Sequence, residues 1–340
     1  MPRFDGLRLH AQATGPAWLD LIPEKVRSLV ADHLPAGLLD KIQLPGARPF
    51  TPNPSTPKPT PSGGQFLARS FTNDAGTRPY KLYVPASYAA RPVPLVVMLH
   101  GCTQSPDDFA AGTGMNAAAD RDGFLVAYPG QTNAANAQKC WNWFDPADQR
   151  RGAGEPALIA GITRQIMADY AVDPARIYVA GLSAGGAAAA IMGQAYPDLY
   201  AANGVHSGLP CGAARDMSSA FAAMRHAAPT QPGDNTIPTI IFHGDRDTTV
   251  HPSNAAALAV QNGSARQGRV QTRTGTTPSG RRYDLTIQSD DDGRVITENW
   301  LIKGAGHAWS GGKPAGSFTD PAGPDATGEM LRFFREHPRR

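Results

Sequence analysis

The stretch from Arg176 to Tyr196 constrains the fold of this chain more than any other. The run Arg176-Ile-Tyr-Val-Ala180 leads straight into Gly181-Leu-Ser-Ala-Gly185, and the Ala-rich residues from Gly186 to Tyr196 follow at once. β-branched and aromatic residues favour extended backbone and alanine favours helix, so the order is strand, sharp turn, helix. Such a turn needs small residues on its flanks, which Gly181 and Gly185 supply, and it projects the hydroxyl of Ser183 from the sheet edge. In a chain with 36 glycines the bare pentapeptide arises easily by chance, so the flanking strand and helix carry the argument.

The same alternation runs through the rest of the chain from Gln65 onward. Residues 78–84, 94–100, 124–128, 238–243, 283–288 and 295–302 are short β-rich runs, and residues 156–170 and 325–336 have helical character. Pro94-Leu-Val-Val-Met-Leu-His100 is apolar throughout, as a central strand covered on both faces must be. The pattern predicts an α/β fold with a mostly parallel central sheet and helices on both faces. Ser289-Asp-Asp-Asp-Gly293 separates two of the strands and reads as a hairpin turn; its acidic residues lack the spacing of an EF-hand calcium loop.

Upstream, residues 51–65 hold the run Pro52-Asn-Pro-Ser-Thr-Pro-Lys-Pro-Thr-Pro, which forms neither ladder nor helix and predicts an extended spacer. It separates an arm, residues 1–50, from one large domain, residues 66–340. Within the arm, apolar residues between Trp18 and Leu39 recur at helical spacing.

Composition narrows the function classes. The chain is 41% hydrophobic and 18% charged with a formal net charge of only +3, and it has no Lys/Arg block or basic-aromatic interleaving, which argues against nucleic acid. No apolar run is long enough for a membrane-spanning helix. Asp5, Asp20 and Glu24 interrupt the region where a secretory leader would be apolar, so the sequence as written predicts a cytoplasmic protein. Cys102, Cys140 and Cys211 are too few for a disulfide framework and lack zinc-ligand spacing, and no HxH or HxxxH pair occurs. No metal or other cofactor is expected.

A serine hydroxyl is a weak nucleophile until a general base takes its proton, and that base needs a third group to fix its tautomer. The strand at 238–243 runs into Gly244-Asp-Arg-Asp247, and the strand at 295–302 runs into Lys303-Gly-Ala-Gly-His307. Serine, then aspartate, then histidine is the chain order of the α/β-hydrolase triad. Ser183 is assigned as nucleophile, His307 as base and Asp247 as its orienter. Asp245 competes with Asp247, and His100, His243 and His251 compete with His307. Asp247 is preferred because Asp245 lies closer to the strand and is better placed to bond the turn itself. The negative charge that develops on the attacked carbonyl oxygen calls for backbone donors. The amide of Ala184, next to the nucleophile, and that of Cys102, after Gly101, are the candidates. Arg151 and Glu155 read as residues that anchor a loop or open a helix.

Leu99-His-Gly-Cys-Thr-Gln104, Cys140-Trp-Asn-Trp-Phe144, Gly181-Leu-Ser-Ala-Gly185, His243-Gly-Asp-Arg-Asp247 and Gly304-Ala-Gly-His-Ala-Trp309, in this order, resemble the short-chain polyhydroxyalkanoate (polyhydroxybutyrate) depolymerases and related feruloyl esterases. The resemblance covers roughly residues 66 to 336. With the oxyanion loop ahead of the lipase box, it matches the type 1 catalytic domain. It implies the Ser183, Asp247, His307 triad and an oxyanion hole at Cys102 and Ala184. It implies an ester hydrolase acting through an acyl-enzyme on short 3-hydroxyacyl esters, with a feruloyl or acetyl esterase of plant polysaccharides as the alternative and a hydrolase-shaped binding protein as a third reading.

Secreted members of that family carry a leader and a C-terminal substrate-binding domain that this sequence does not display. The resemblance therefore allows secretion, but favours soluble or amorphous over crystalline substrates. It also favours a Cys102–Cys140 bridge, whereas a cytoplasmic setting would keep both thiols reduced. Trp141, Trp143 and Trp309, with Phe144, are expected to wall the site for an acyl or aryl group; core packing is the rival reading for Trp141 and Trp143. Trp300, inside a strand, is expected in the core.

Overall fold

Along Val93–Leu99 successive side chains point to opposite sides of the sheet, so Leu95, Val97 and Leu99 enter one apolar layer and Val96 and Met98 another. All five are buried. Val172–Leu182 repeats the division, with Ile177 and Val179 on the first side and Tyr178, Ala180 and Leu182 on the second. A strand apolar on both sides has to be covered on both sides, and each aliphatic side chain so buried contributes about 1.5–3 kcal/mol.

The computed structural model describes residues 63–230, 232–233, 237–263 and 268–339. The expected arm with its helix at 18–39 lies outside them, as does the spacer as far as residue 62. Gln65, counted with the spacer in the sequence, opens the first strand.

Ten strands form the main sheet: β1 (Gln65–Asn73), β2 (Gly76–Val84), β3 (Val93–Leu99), β4 (Leu125–Pro129), β5 (Val172–Leu182), β6 (Ala202–His206), β7 (Thr239–Gly244), β8 (Val270–Thr276), β9 (Arg282–Ser289) and β10 (Val295–Ile302). Their order is β1-β2-β4-β3-β5-β6-β7-β10-β9-β8. Neighbours from β4 to β10 are parallel, and antiparallel strands flank them on both sides. The acidic run at 289–293 turns the β9–β10 hairpin. β11 (Trp309–Ser310) and β12 (Thr319–Asp320) form a separate two-stranded parallel ribbon.

Helices α1 (Pro106–Thr113), α2 (Met115–Asp122), α3 (Gly154–Asp169), α4 (Ala184–Ala195), α5 (Met217–Arg225), α6 (Ser253–Gly263) and α7 (Ala326–Glu336) connect and cover the strands. α3 and α4 pack on the Leu95 and Val97 side through Ile159, Ile162, Ile166 and Met192. α1, α2 and α7 pack on the Val96 and Met98 side through Phe109, Met115, Met330 and Phe334. Because β3, β5, β7 and β10 are parallel, the segments that follow them emerge at one edge of the sheet. Those segments carry Cys102, Ser183, Asp247 and His307, and the carboxyl edge of such a sheet is where α/β proteins build their sites.

Candidate active site

Ser183 sits at φ +59° and ψ −122° between β5 and α4. An L-residue held there costs about 1–3 kcal/mol, and only surroundings that over-determine the backbone retain it. Those surroundings are tight. A Cβ at Gly181 would collide with the carbonyls of Gly185 and Leu99, and one at Gly185 with the carbonyl of Leu99. The Ser183 amide donates to the carbonyl of His206 at 2.9 Å. Its side chain does not cap α4, whose first amides have no acceptor within the helix. That leaves Ala184 N–H at the positive end of the helix dipole beside the hydroxyl.

His307 Nδ1 and Asp247 Oδ2 are 2.7 Å apart. Since a carboxylate only accepts, the ring donates through Nδ1. Asp247 is buried, and its Oδ1 accepts from the amides of Thr249 and Val250, both at 2.9 Å. Burial alone would raise its pKa, but hydrogen bonds from His243, His307 and Val250 hold it well below the usual carboxylate range. Asp245 does something else: its Oδ1 accepts from Gly304 N–H at 2.6 Å and braces the loop that carries His307. Among the described residues His307 hydrogen-bonds Asp247 and not Ser183.

The rival histidines have other partners. His243 is fully buried and donates through Nε2 to the Val250 carbonyl at 2.8 Å, with Asp247 Oδ2 3.4 Å away. His251 is exposed and pairs with the Ser253 hydroxyl at 2.9 Å. His100 lies in the loop after β3. Its Nε2 accepts from Gln131 N–H at 3.0 Å, so its proton is on Nδ1, which donates to the Gly101 carbonyl at 2.7 Å. Burial lowers its pKa to about 4 and keeps the ring neutral. In a planar trans peptide C=O and N–H point in opposite directions, so fixing the Gly101 carbonyl also fixes the direction of the Cys102 N–H. A Cβ on Gly101 would stand 3.5 Å from Ser183 Cβ, which sets this loop directly against the nucleophile elbow. Thr103 takes φ +66° and donates its amide to the Gln138 carbonyl at 2.7 Å, and Cys102 is disulfide-bonded to Cys140.

The expected aromatic wall is a correction. Trp141, Trp143 and Trp309 are 0, 6 and 1% exposed, and none of them presents a face to a substrate. Each large ring is more stable buried once its N–H finds an acceptor. Trp141 Nε1 donates to the His100 carbonyl at 3.1 Å, and Trp309 Nε1 to Thr327 Oγ1 at 3.0 Å. Trp141 is thereby tied to the loop after β3, and Trp309 ties the segment after His307 to α7. Trp300 is buried as well. Glu155 opens α3 and holds the 140–144 loop by accepting from Asn142 N–H at 2.7 Å, and burial followed by the nearby Asp148 pushes its pKa up to about 7. Arg151 pairs with Asp198 at 2.6 Å.

Sequence reasoning missed His206. It is buried in β6, its carbonyl receives the Ser183 amide, and its Nε2 accepts from Ser310 N–H at 3.0 Å. Burial first, with His243 and His307 adding to it, lowers its pKa to about 3. This neutral ring stacks on Trp309 and links the nucleophile elbow to the segment after His307.

The sequence profile described as Esterase PHB depolymerase matches residues 78–282. Poly(3-hydroxyalkanoate) depolymerase C of Paucimonas lemoignei is 33% identical over 264 residues, covering 72% of this chain and 63% of that protein. Feruloyl esterase B of Neurospora crassa is 34% identical over 162 residues, covering 47% of this chain and 51% of that protein. The chain thus spans between half and two thirds of the length of these relatives. Among solved structures, an acetyl xylan esterase from Aspergillus awamori superposes with a TM-score of 0.62 at 21% identity, over 80% of this chain and 100% of that one. At that identity the likeness speaks for the α/β-hydrolase fold.

Proposed function

This chain belongs to the esterase PHB depolymerase family, and on that premise we propose that it is a serine carboxylic-ester hydrolase acting on short 3-hydroxyacyl esters and their oligomers. The observation that carries the proposal is the 2.7 Å bond between His307 and Asp247, formed at the sheet edge where Ser183 stands on its strained turn.

Ser183 Oγ attacks the ester carbonyl and its proton passes to His307 Nε2, the ring nitrogen that Asp247 does not occupy. Asp247 holds the tautomer and offsets the charge of the imidazolium. The carbonyl oxygen, now an alkoxide, receives hydrogen bonds from the Cys102 and Ala184 amides. When the tetrahedral intermediate collapses, the alcohol leaves with the proton from His307 and the acyl group stays on Ser183. Water attacks that acyl group with His307 again as base, releasing the acid and restoring the serine.

A serine-directed phosphonate should label the native chain at Ser183 alone, and Ser183→Ala should abolish both labelling and turnover. Labelling elsewhere with full activity in Ser183→Ala overturns the mechanism. The similarity to a feruloyl esterase supports a second reading of the substrate. Parallel assays on 3-hydroxybutyrate trimer, amorphous polymer, acetylated xylan and methyl ferulate rank the two, and turnover of ferulate alone reverses the preference.

A further inference from the structure

With the three tryptophans buried and Phe144 half-buried against Trp143, the most exposed aromatic ring near the site among the described residues is Phe318. Phe318 is 46% exposed, in contrast to Trp141, Trp143 and Trp309. Among the described residues the other exposed large apolar ones, Met217, Phe221, Val260 and Val270, lie on α5, α6 and the edge strand β8.

Phe318 is held from two directions. Its carbonyl accepts the Trp309 amide at 2.7 Å, two residues beyond His307, and the next residue, Thr319, pairs with Trp309 in the β11–β12 ribbon. On its other side, the Ser317 carbonyl accepts from Gln104 Nε2 at 3.2 Å, and Gln104 Oε1 accepts from Gly101 N–H at 2.9 Å. Asp108 fixes the same turn by accepting the Ser317 amide at 2.9 Å. The turn Ser317-Phe318 therefore links the loop at 101–104 to the segment that follows His307.

Its backbone is at φ +51°, where a bulky L side chain is rarely found and a glycine or asparagine would be easier. An exposed phenyl ring in that conformation gains nothing from core packing. Strain of this kind persists where the surroundings enforce it, and it gathers at ligand contacts.

We infer that Phe318 is the apolar contact that selects substrates at this site, favouring esters with a further hydrophobic portion beyond the scissile carbonyl, such as oligomeric 3-hydroxyacyl esters, over simple acetyl esters. The inference rests on the ester-hydrolase reading and adds the residue that sets its substrate preference.

The test is a ratio: kcat/KM for p-nitrophenyl hexanoate, and separately for 3-hydroxybutyrate trimer, divided by kcat/KM for p-nitrophenyl acetate. Phe318→Asn suits the left-handed backbone while removing the apolar surface, and Phe318→Ala is its companion. Both should lower each ratio roughly 10-fold, the scale of discrimination that a single apolar contact provides. Phe318→Leu should restore each ratio to within about threefold of the parent. Ratios that stay within about twofold of the parent in the Asn and Ala variants overturn the inference, whether activity falls evenly on all substrates or does not fall. A parent protein that hydrolyses none of these esters and resists the phosphonate refutes the ester-hydrolase reading itself. Parent turnover with unchanged ratios refutes the role of Phe318 alone.

Discussion

Asp247 is fixed through both carboxylate oxygens: Oδ2 meets His307 Nδ1 at 2.7 Å while Oδ1 accepts the Thr249 and Val250 amides at 2.9 Å. A carboxylate so held cannot rotate, and the imidazole that leans on it keeps one tautomer and one orientation. Asp245, two residues earlier, spends its oxygen on the Gly304 amide. The two acids of one loop thus divide the work, one setting the ring and the other setting the loop that carries it.

This division predicts unequal mutants. Asp247→Asn should lower kcat by roughly 10³–10⁴-fold, because an amide in place of the acceptor favours the wrong tautomer. Asp245→Asn retains an oxygen acceptor for Gly304 and should cost no more than about 10-fold. Steady-state kinetics on p-nitrophenyl butyrate check both. Equal losses, or a larger loss at 245, would reassign the orienter.

His100 acts through the Gly101–Cys102 peptide. In His100→Ala the Gly101 carbonyl loses its shorter hydrogen bond and keeps only the Gln104 amide at 3.3 Å, so the direction of the Cys102 amide is less firmly held. The expected result is a fall in kcat of roughly 10- to 100-fold, below the full loss of an oxyanion donor, with KM little changed. A rise in KM at constant kcat would show that the histidine shapes substrate binding instead.

The Cys102–Cys140 bond joins that peptide to the loop lying on Glu155. It closes a sequence separation of 38 residues, for which chain-entropy arguments give about 3–4 kcal/mol. The double variant Cys102→Ser/Cys140→Ser should lose stability on that scale in urea titrations, and kcat should drop as the oxyanion loop loosens. Thiol titration of unreduced, denatured protein should find one thiol per chain, that of Cys211. In the folded protein Cys211 should react slowly, since burial pushes its pKa up to about 11. Three reactive thiols would remove the bond.

The central strands and the elbow were legible because their signals are local: an unbroken apolar run such as Pro94 to Leu99, or glycines flanking Ser183. β6 was not. Ala-Asn-Gly-Val-His offers a single β-branched residue, and its extended form is imposed by pairing with β5 and β7. With β6 went His206, whose part in the site depends on that pairing. Helix α1 did leave a signal, a Ser105 cap that accepts from Asp108 N–H, Pro106 in the first turn and Gly114 at φ +66°. The tryptophans were misplaced because sequence shows that a loop is aromatic without showing which way its rings turn. That direction follows from acceptors contributed by distant segments, the His100 carbonyl and the Thr327 hydroxyl. Phe318 gave no signal for the converse reason: its position comes from the bond of its own carbonyl to the Trp309 amide and from that of the neighbouring Ser317 to Gln104, the latter far away in sequence.

The buried histidines set how stability changes with pH. His100 and His206 fall from an ordinary 6.5 to about 4 and about 3, in both cases chiefly through burial. Between about 6.5 and about 4 the unfolded chain binds protons that the folded chain refuses, so stability present at neutral pH is lost as pH falls, by about 1.4 kcal/mol per pH unit for each ring. Glu155 works in the opposite sense: raised from 4.5 to about 7, its contribution is full at low pH and lost as pH rises through that interval. One histidine is therefore offset where the windows overlap, leaving a net loss on the order of 1.4 kcal/mol per unit on acidification. Below about 4.5 both histidines act unopposed, and the slope steepens toward twice that value. Replacing His206 by asparagine should flatten the curve by about one histidine while lowering its overall height. Urea-unfolding free energies of the parent and His206→Asn, taken at several pH values between about 7 and 4.5, measure the difference; parallel curves would show that the buried ring accepts a proton in the folded state.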